Sequence, residues 1–349
     1  MKQHLYYETL DWVTYWKNFF RQDKGRFLKA LKDDFQSQNI FLTNAGRAGI
    51  ILSLKAFGLR REDEVLVPRF MSTCVLDSVN QIASPSLNLT ERTKAVLFYH
   101  HWGYPQNYSK AENILRPKKI RIIEDCAHGL WGKSQGRALG SFGDTAIFSL
   151  SKIFEMTYAG ALKVNDVSLL GVIEKELSRA PSVKECCESL LGEWEYLNYY
   201  NTPLKDREHQ DMQIDLLKWY ATLLVSFPLA TVRGRLPRSA QEIQQVFQRQ
   251  NKHFLTLLKN ARHRFFILPL DEEETMAPMC FPILSSDEVF LKEVQRWLSA
   301  RNIFTGIYHF DVNRNMFEPD YRKCVPVPLY ASLPDHIFDD FIRDFKGRY

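Results

Sequence analysis

Four short apolar runs, EDEVLVPRF, KAVLFYHHWG, KKIRIIEDCAHG and DTAIFSLSK, recur between residues 62 and 152, and each closes on polar residues or glycine. Near-continuous apolar runs of this length are the pattern of strands covered on both faces, as in a parallel sheet. Two further short runs, NIFLTN and ALKVND, flank them. Between the runs the period changes: Phe27, Leu28, Leu31 and Phe35 are spaced as one face of a helix, and IILSLKAFGL is helical again. Strands alternating with helices predict an α/β domain with a mainly parallel sheet. In such sheets ligands collect at the carboxyl ends of the strands, and Lys152 stands where the last apolar run stops.

From about Ser178 the character changes. GEWEYLNYYNTPLKDREHQD carries no clean period and reads as a long irregular connection. A helical region follows from Asp211 through Leu258, broken near Pro228 and Pro237. FFILPL and CFPIL then read as strands, separated by the charged turn DEEET. A helix with Phe290, Val294, Trp297 and Leu298 on its apolar face has Ser285 or Ser286 as its expected cap. Ile337, Phe338, Phe341, Ile342 and Phe345 form the face of a last helix. These elements predict a small C-terminal α+β domain of residues 235–349 beside a large α/β domain of residues 1–234.

Composition narrows the function. Forty-six basic and 41 acidic residues give a net charge of +5 with the signs interspersed, so no basic face offers itself to nucleic acid. The densest basic run, Arg116 to Arg121, is followed at once by Glu124 and Asp125. Six cysteines without C-x-x-C spacing suit a reducing compartment, and Cys186-Cys187 reads as two free thiols. Leu5 to Phe20 mixes aromatics with Glu8, Asp11 and Lys17, unlike a signal peptide. Leu216 to Val232 is apolar, yet Lys218 and Pro228 interrupt it, so no membrane span is expected. The expected location is cytoplasmic. His100 and His101 are neighbours on a strand and point to opposite faces, so at most one imidazole could serve any metal, and no metal site is expected.

The chemistry-bearing residues gather at the predicted carboxyl ends of strands. Asp125 closes one apolar run, His128 follows three residues later, and Ser149 precedes Lys152. Upstream, Ala45-Gly46-Arg47-Ala48-Gly49 opens a helix, where backbone N–H groups and the helix dipole form a phosphate seat to which Arg47 adds charge. A lysine that can form a Schiff base, a buried carboxylate and a phosphate seat match the three handles of pyridoxal phosphate.

On these residues the sequence resembles the DegT/StrS aminotransferases, fold-type-I enzymes that depend on pyridoxal phosphate and act mostly on nucleotide-linked keto sugars. The run IIEDCAHGLWGKSQGRALGSFGDTAIFSLSK is similar to the family's signature. NAGRAGIILSLKAFGLRREDEVLVPRF and AVLFYHHWGYPQ resemble its upstream helix, strand and turn, and SARNIFTGIYHF resembles its late segment. The resemblance implies Lys152 as the Schiff-base lysine and acid/base, and Asp125 as partner of the ring nitrogen. It makes His128 the contact to the ring or its oxygen. Gly46, Arg47 and Ser149 become phosphate ligands, and Tyr308 and His309 line the substrate mouth. It also implies an amino donor, a carbonyl acceptor and a homodimer.

The sequence departs from the family pattern at several points. The interval from Ser149 to Lys152 is shorter. Ser72 replaces the aromatic that stacks on the ring, which leaves Phe70 or Trp102 for that role. NQIASPSLNL is too brief for the usual further strand, which predicts one strand fewer. His209-Gln210-Asp211-Met212 matches the cross-subunit segment poorly. Two other functions therefore stand beside amino transfer: a non-catalytic binding or assembly protein, and a pyridoxal-phosphate lyase or desulfurase acting on an amino acid.

Overall fold

A computed structural model describes residues 5–6, 16–17, 23–154, 156, 159–179, 182–184, 187, 191, 236–261 and 274–345. The irregular connection, the apolar segment 216–232, FFILPL, the segment 209–212 and Cys186 lie outside the described residues.

A seven-stranded sheet forms the centre, in the order Ile40–Thr43, Gly160–Val164, Thr145–Phe148, Arg121–Asp125, Thr93–Tyr99, Glu64–Leu66, Ser84–Ser86. The last five strands run parallel. Gly160–Val164 is antiparallel to both of its neighbours. The strand expected to be missing is present as Ser84–Ser86, pairing with Glu64–Leu66. Its brevity and Pro85 hid it, and proline is tolerated there because the strand lies at the sheet edge and needs no second ladder.

Strand burial follows the sequence pattern: Val96, Leu97, Ile122, Ile123, Ala146 and Phe148 are all at or near zero exposure. Helix Gly46–Ala56 lies against this sheet with Ile50, Ile51, Leu52 and Leu54 buried. It sits close because a Cβ on Gly49 would come within 2.8 Å of Ile147 Cγ2. Helix Lys24–Asp34, capped by Asp23 through a 3.0 Å bond from the Arg26 N–H, buries Phe27, Ala30 and Leu31.

One buried carboxylate organises the middle of the sheet. Glu124 Oε1 bonds His100 Nε2 at 2.9 Å and accepts from the Gly140 N–H and the Tyr108 hydroxyl. Its Oε2 accepts from the N–H groups of Phe142 and Gly143. Burial alone would raise Glu124, but the His100 and backbone bonds outweigh it and hold it below the ordinary carboxylate range. The G-R-A-L-G-S-F-G turn is thereby fixed to the strand carrying Asp125.

The C-terminal region builds a second core on the antiparallel sheet Cys280–Leu284, Tyr321–Pro328, Tyr308–Asp311. Helix Glu288–Ser299 is capped by Asp287, not by Ser285 or Ser286: Asp287 Oδ1 accepts from the N–H groups of Val289 and Phe290, while Ser285 Oγ accepts from Asp287 itself. Helix Ala240–Ala261 joins the two cores. Ile243 near its start packs with Phe27 and Phe154, and Phe254, Leu257 and Leu258 near its end pack with the second core. Among the described residues no helix is long and apolar enough to cross a membrane.

Candidate active site

Parallel strands Thr93–Tyr99, Arg121–Asp125 and Thr145–Phe148 deliver their last residues to one edge, where Tyr99 pairs in register with Asp125 and Asp125 with Ile147. The strand expected to run on to Lys152 ends at Phe148. Lys152 lies instead in the one-turn helix Leu150–Ile153, which is held by bonds from Ser151 N–H to Ala159 O at 3.1 Å and from Lys152 N–H to Ser149 O at 3.1 Å. The turn folds the side chain back over the sheet edge. Lys152 Nζ stands 2.5 Å from His128 Nε2, and His128 Nδ1 stands 2.7 Å from the Tyr99 hydroxyl.

Asp125 is 2% exposed. Its Oδ1 accepts from the Ala127 N–H at 2.9 Å, and its Oδ2 has no hydrogen bond among the described residues. Burial raises its pKa, against the Ala127 bond and the charges of Lys152 and His100. Lys152 is pushed below the ordinary lysine value, first by burial and also by the Arg47 charge, while Cys74, Asp125 and Cys280 pull the other way. The site therefore combines an amine eased toward its neutral form with a buried carboxyl whose free oxygen calls for a cationic donor.

The residues expected to seat a phosphate lie at the same edge. Ala45 is the N-cap of helix Gly46–Ala56 with no side-chain bond to the first turn, and its carbonyl accepts from the Ala48 N–H at 3.1 Å. Gly46 lies beside the end of the lysine strand: a Cβ there would sit 3.5 Å from Phe148 O. Arg47 follows, half-buried and within electrostatic reach of Lys152. Ser149 Oγ lies 3.2 Å from Ser151 Oγ beside the same edge. A buried carboxyl, an eased amine and a helix start thus surround one edge, and they fit pyridoxal phosphate.

Tyr308 and His309 open the strand Tyr308–Asp311. Tyr308 packs edge-on to Trp102, with centroids 6.2 Å apart, and burial pushes its hydroxyl up to about 12. Cys280 lies within electrostatic reach of Lys152, Tyr99 and Tyr308, which places Tyr308 on the site's flank. His309 stacks on Phe70, centroids 4.7 Å apart and planes 4° apart, and makes no hydrogen bond to Asp125, His128 or Lys152. Phe70 also meets Tyr321 edge-on, and Trp102 stacks on Phe310 at 5.4 Å, so both rings proposed for stacking are engaged with the C-terminal region.

The strand ends at Tyr99, so neither histidine lies on it as the sequence suggested: His100 turns to Glu124, while His101, in the helical turn His101–Gly103, packs on Phe310 and is driven down to about 3 by burial. His100, Glu124 and Cys126 offer ligand atoms within 4.8 Å of one another. Each is already committed, however. His100 Nδ1 accepts from the Gln106 N–H, both Glu124 oxygens are saturated, and burial pushes the Cys126 thiol well up. Sequence reasoning missed Tyr99, Cys74 and Cys280 as site neighbours. Only Tyr99 carried a signal, as the polar end of a strand adjacent to Asp125.

The layered sheet and C-terminal α+β region share the fold of solved sugar aminotransferases, such as CalS13 of Micromonospora echinospora, with a TM-score of 0.65 at 14% identity over 99% of both chains. Within that fold, residues 86–177 match the model of the DegT/DnrJ/EryC1/StrS aminotransferase family. The chain is 26% identical to GDP-perosamine synthase of Escherichia coli O157:H7, over 42% of this chain and 47% of that one. It is 25% identical to the UDP-N-acetyl-3-dehydro-alpha-D-glucosamine 3-aminotransferase of Acidithiobacillus ferrooxidans, over 62% and 63%. The match thus spans roughly half to three-fifths of these relatives' length. Among solved structures, Spr1654 of Streptococcus pneumoniae in its PLP form superposes with a TM-score of 0.62 at 14% identity, covering 99% of this chain and 98% of that one.

Proposed function

We propose that this chain is a pyridoxal-phosphate-dependent aminotransferase that delivers an amino group to the carbonyl of a keto sugar, in the nucleotide-linked form that both relatives' names indicate. The observation that carries the reading is the convergence of Lys152, His128 and Asp125 on one sheet edge beside the start of helix Gly46–Ala56.

In this reading the first N–H groups of that helix, Arg47 and the Ser149 hydroxyl hold the phosphate. Asp125, with Oδ2 open, would keep a proton on the ring nitrogen, and His128 would meet the ring or its oxygen. When bound, the cofactor supplies an electron sink for the carbon whose proton is removed. Lys152 Nζ, buried and eased toward the neutral amine, is the base that takes that proton and the acid that returns it. Tyr308 flanks the carbonyl acceptor, and His309 with Phe70 forms the outer wall. A homodimer, a cytoplasmic location and a division into a large domain of residues 1–234 and a small one of 235–349 complete the proposal. The free thiols Cys74, Cys126, Cys187, Cys280 and Cys324 support the location. The strand Ser84–Ser86 removes one ground for a non-catalytic relative.

The test is incubation with pyridoxal phosphate, borohydride reduction and peptide mapping, followed by addition of glutamate or glutamine. Label on Lys152, absent from Lys152→Ala, and conversion of the cofactor to its amine form by the donor are expected. A folded protein that takes up no label would favour the binding-protein reading, and label without conversion would favour the lyase or desulfurase.

A further inference from the structure

Tyr99 has no role in the site as read from the sequence, yet its hydroxyl is the innermost member of a chain that ends on the reactive amine. The residue is 8% exposed. Trp102, held at φ 53° in the turn that follows the strand, lies beside its oxygen. The only hydrogen-bond partner of the Tyr99 hydroxyl among the described residues is His128 Nδ1, at 2.7 Å. Asp125, His101 and Cys280 face it as well, and none of them accepts its proton.

Proton accounting then leaves one arrangement. Burial, and next the Asp125 charge, push the Tyr99 hydroxyl well up, so it stays a phenol with one proton to place. With His128 Nδ1 its one hydrogen-bond partner among the described residues, that proton goes to Nδ1. A neutral imidazole whose Nδ1 accepts carries its own proton on Nε2. Nε2 faces Lys152 Nζ at 2.5 Å, and an N–H there needs a lone pair opposite, which only the unprotonated amine offers. The reverse chain, an ammonium donating to Nε2 and Nδ1–H pointing at Tyr99, would leave the buried phenol proton without an acceptor.

We infer that Tyr99 is a positioning residue: it fixes His128 as the Nε2–H tautomer, which makes the imidazole a hydrogen-bond donor to the Lys152 amine and so selects the form of the lysine able to attack an aldehyde. The tautomer follows from the protein alone. Its consequence for pyridoxal phosphate rests on the function proposed above.

Two readouts separate these parts. Nitrogen-15 NMR of the protein without cofactor, at pH 8, reads the His128 tautomer directly: protonated Nε2 and unprotonated Nδ1 are expected. A wild-type signal with Nδ1 protonated overturns the inference whether or not any variant folds. In Tyr99→Phe, which keeps the ring packing, the tautomer preference should collapse toward a mixture. Borohydride-trapped uptake of pyridoxal phosphate at pH 7 should then slow by roughly tenfold, with its pH midpoint moved to the alkaline side by about one unit. An unchanged tautomer or an unchanged midpoint in the folded variant also overturns it. If the wild type shows the Nε2–H tautomer but takes up no cofactor, the inference about Tyr99 stands and the proposed function fails.

Discussion

The charge of Lys152 is set by competing neighbours, and each can be removed in turn. Asp125 favours the ammonium and Arg47 opposes it, while burial dominates both. Only the unprotonated amine condenses with an aldehyde, so the pH at half-maximal uptake of pyridoxal phosphate tracks the lysine and should fall below the ordinary lysine value. Asp125→Asn removes a charge that stabilises the ammonium and should move that midpoint further toward acid. Arg47→Gln removes a charge that disfavours it and should move it toward alkali, each by roughly half to one unit. The readout is the midpoint of trapped label against pH, which separates charge from any loss of phosphate affinity that Arg47→Gln also causes. Shifts in the same direction would sink this account. At this scale the sequence was informative where a residue closes an apolar run: Asp125, His128 and Lys152 do meet. Tyr99 escaped notice because the run AVLFYHH reads as an ordinary strand end, and only the fold brings His128 Nδ1 within 2.7 Å of its hydroxyl.

Elements meet at the start of helix Gly46–Ala56 through a glycine. Gly160 opens the antiparallel strand Gly160–Val164 and pairs with Thr43, and a Cβ there would lie 2.3 Å from Ala45 C and 2.5 Å from Gly46 N. Those atoms are backbone, so they can yield only by moving the start of helix Gly46–Ala56. Gly160→Ala is therefore expected to destabilise the protein by about 1–3 kcal/mol in urea unfolding and to weaken pyridoxal phosphate binding, measured by absorbance titration. Gly171→Ala, where a Cβ meets nothing within 4 Å, is the control and should change neither. Equal effects from both glycines would refute the argument. Most strands and helices were legible because periodicity reports which face is buried. What failed were features that periodicity does not encode. Ser84–Ser86 is too short to alternate. The Asp287 cap competes with two serines that precede it by one and two positions. The break after Phe148 depends on the Ser151 N–H finding Ala159 O across the turn.

At the scale of the whole molecule, the C-terminal core is held to the sheet by helix Ala240–Ala261 and by a docking loop, residues 312–320. The Asp311 carboxylate rigidifies that loop by accepting from the N–H groups of Asn313, Asn315 and Asp320. The loop then meets the first core through Asn107 N–H to Arg314 O at 2.8 Å, Met316 N–H to Gln106 Oε1 at 2.9 Å, and the Arg314 guanidinium to Glu274 at 2.9 Å, with Ser134 donating to the same carboxylate. No sequence pattern announces such a joint, since its bonds link residues some 200 positions apart. Gln106 is 4% exposed, so Gln106→Ala removes the Met316 acceptor in a place water does not readily replace. It should cost about 1–3 kcal/mol and raise hydrogen exchange at the Met316 and Asn107 amides. Lys110–Glu318 spans the same joint at 2.7 Å, but its side chains are 52% and 71% exposed. Lys110→Ala should therefore cost less than about 1 kcal/mol and leave exchange unchanged. If the buried amide and the exposed ion pair proved equal, or if exchange at Met316 stayed slow in Gln106→Ala, the joint would not be what fixes the C-terminal core to the sheet, and helix Ala240–Ala261 alone would have to do so.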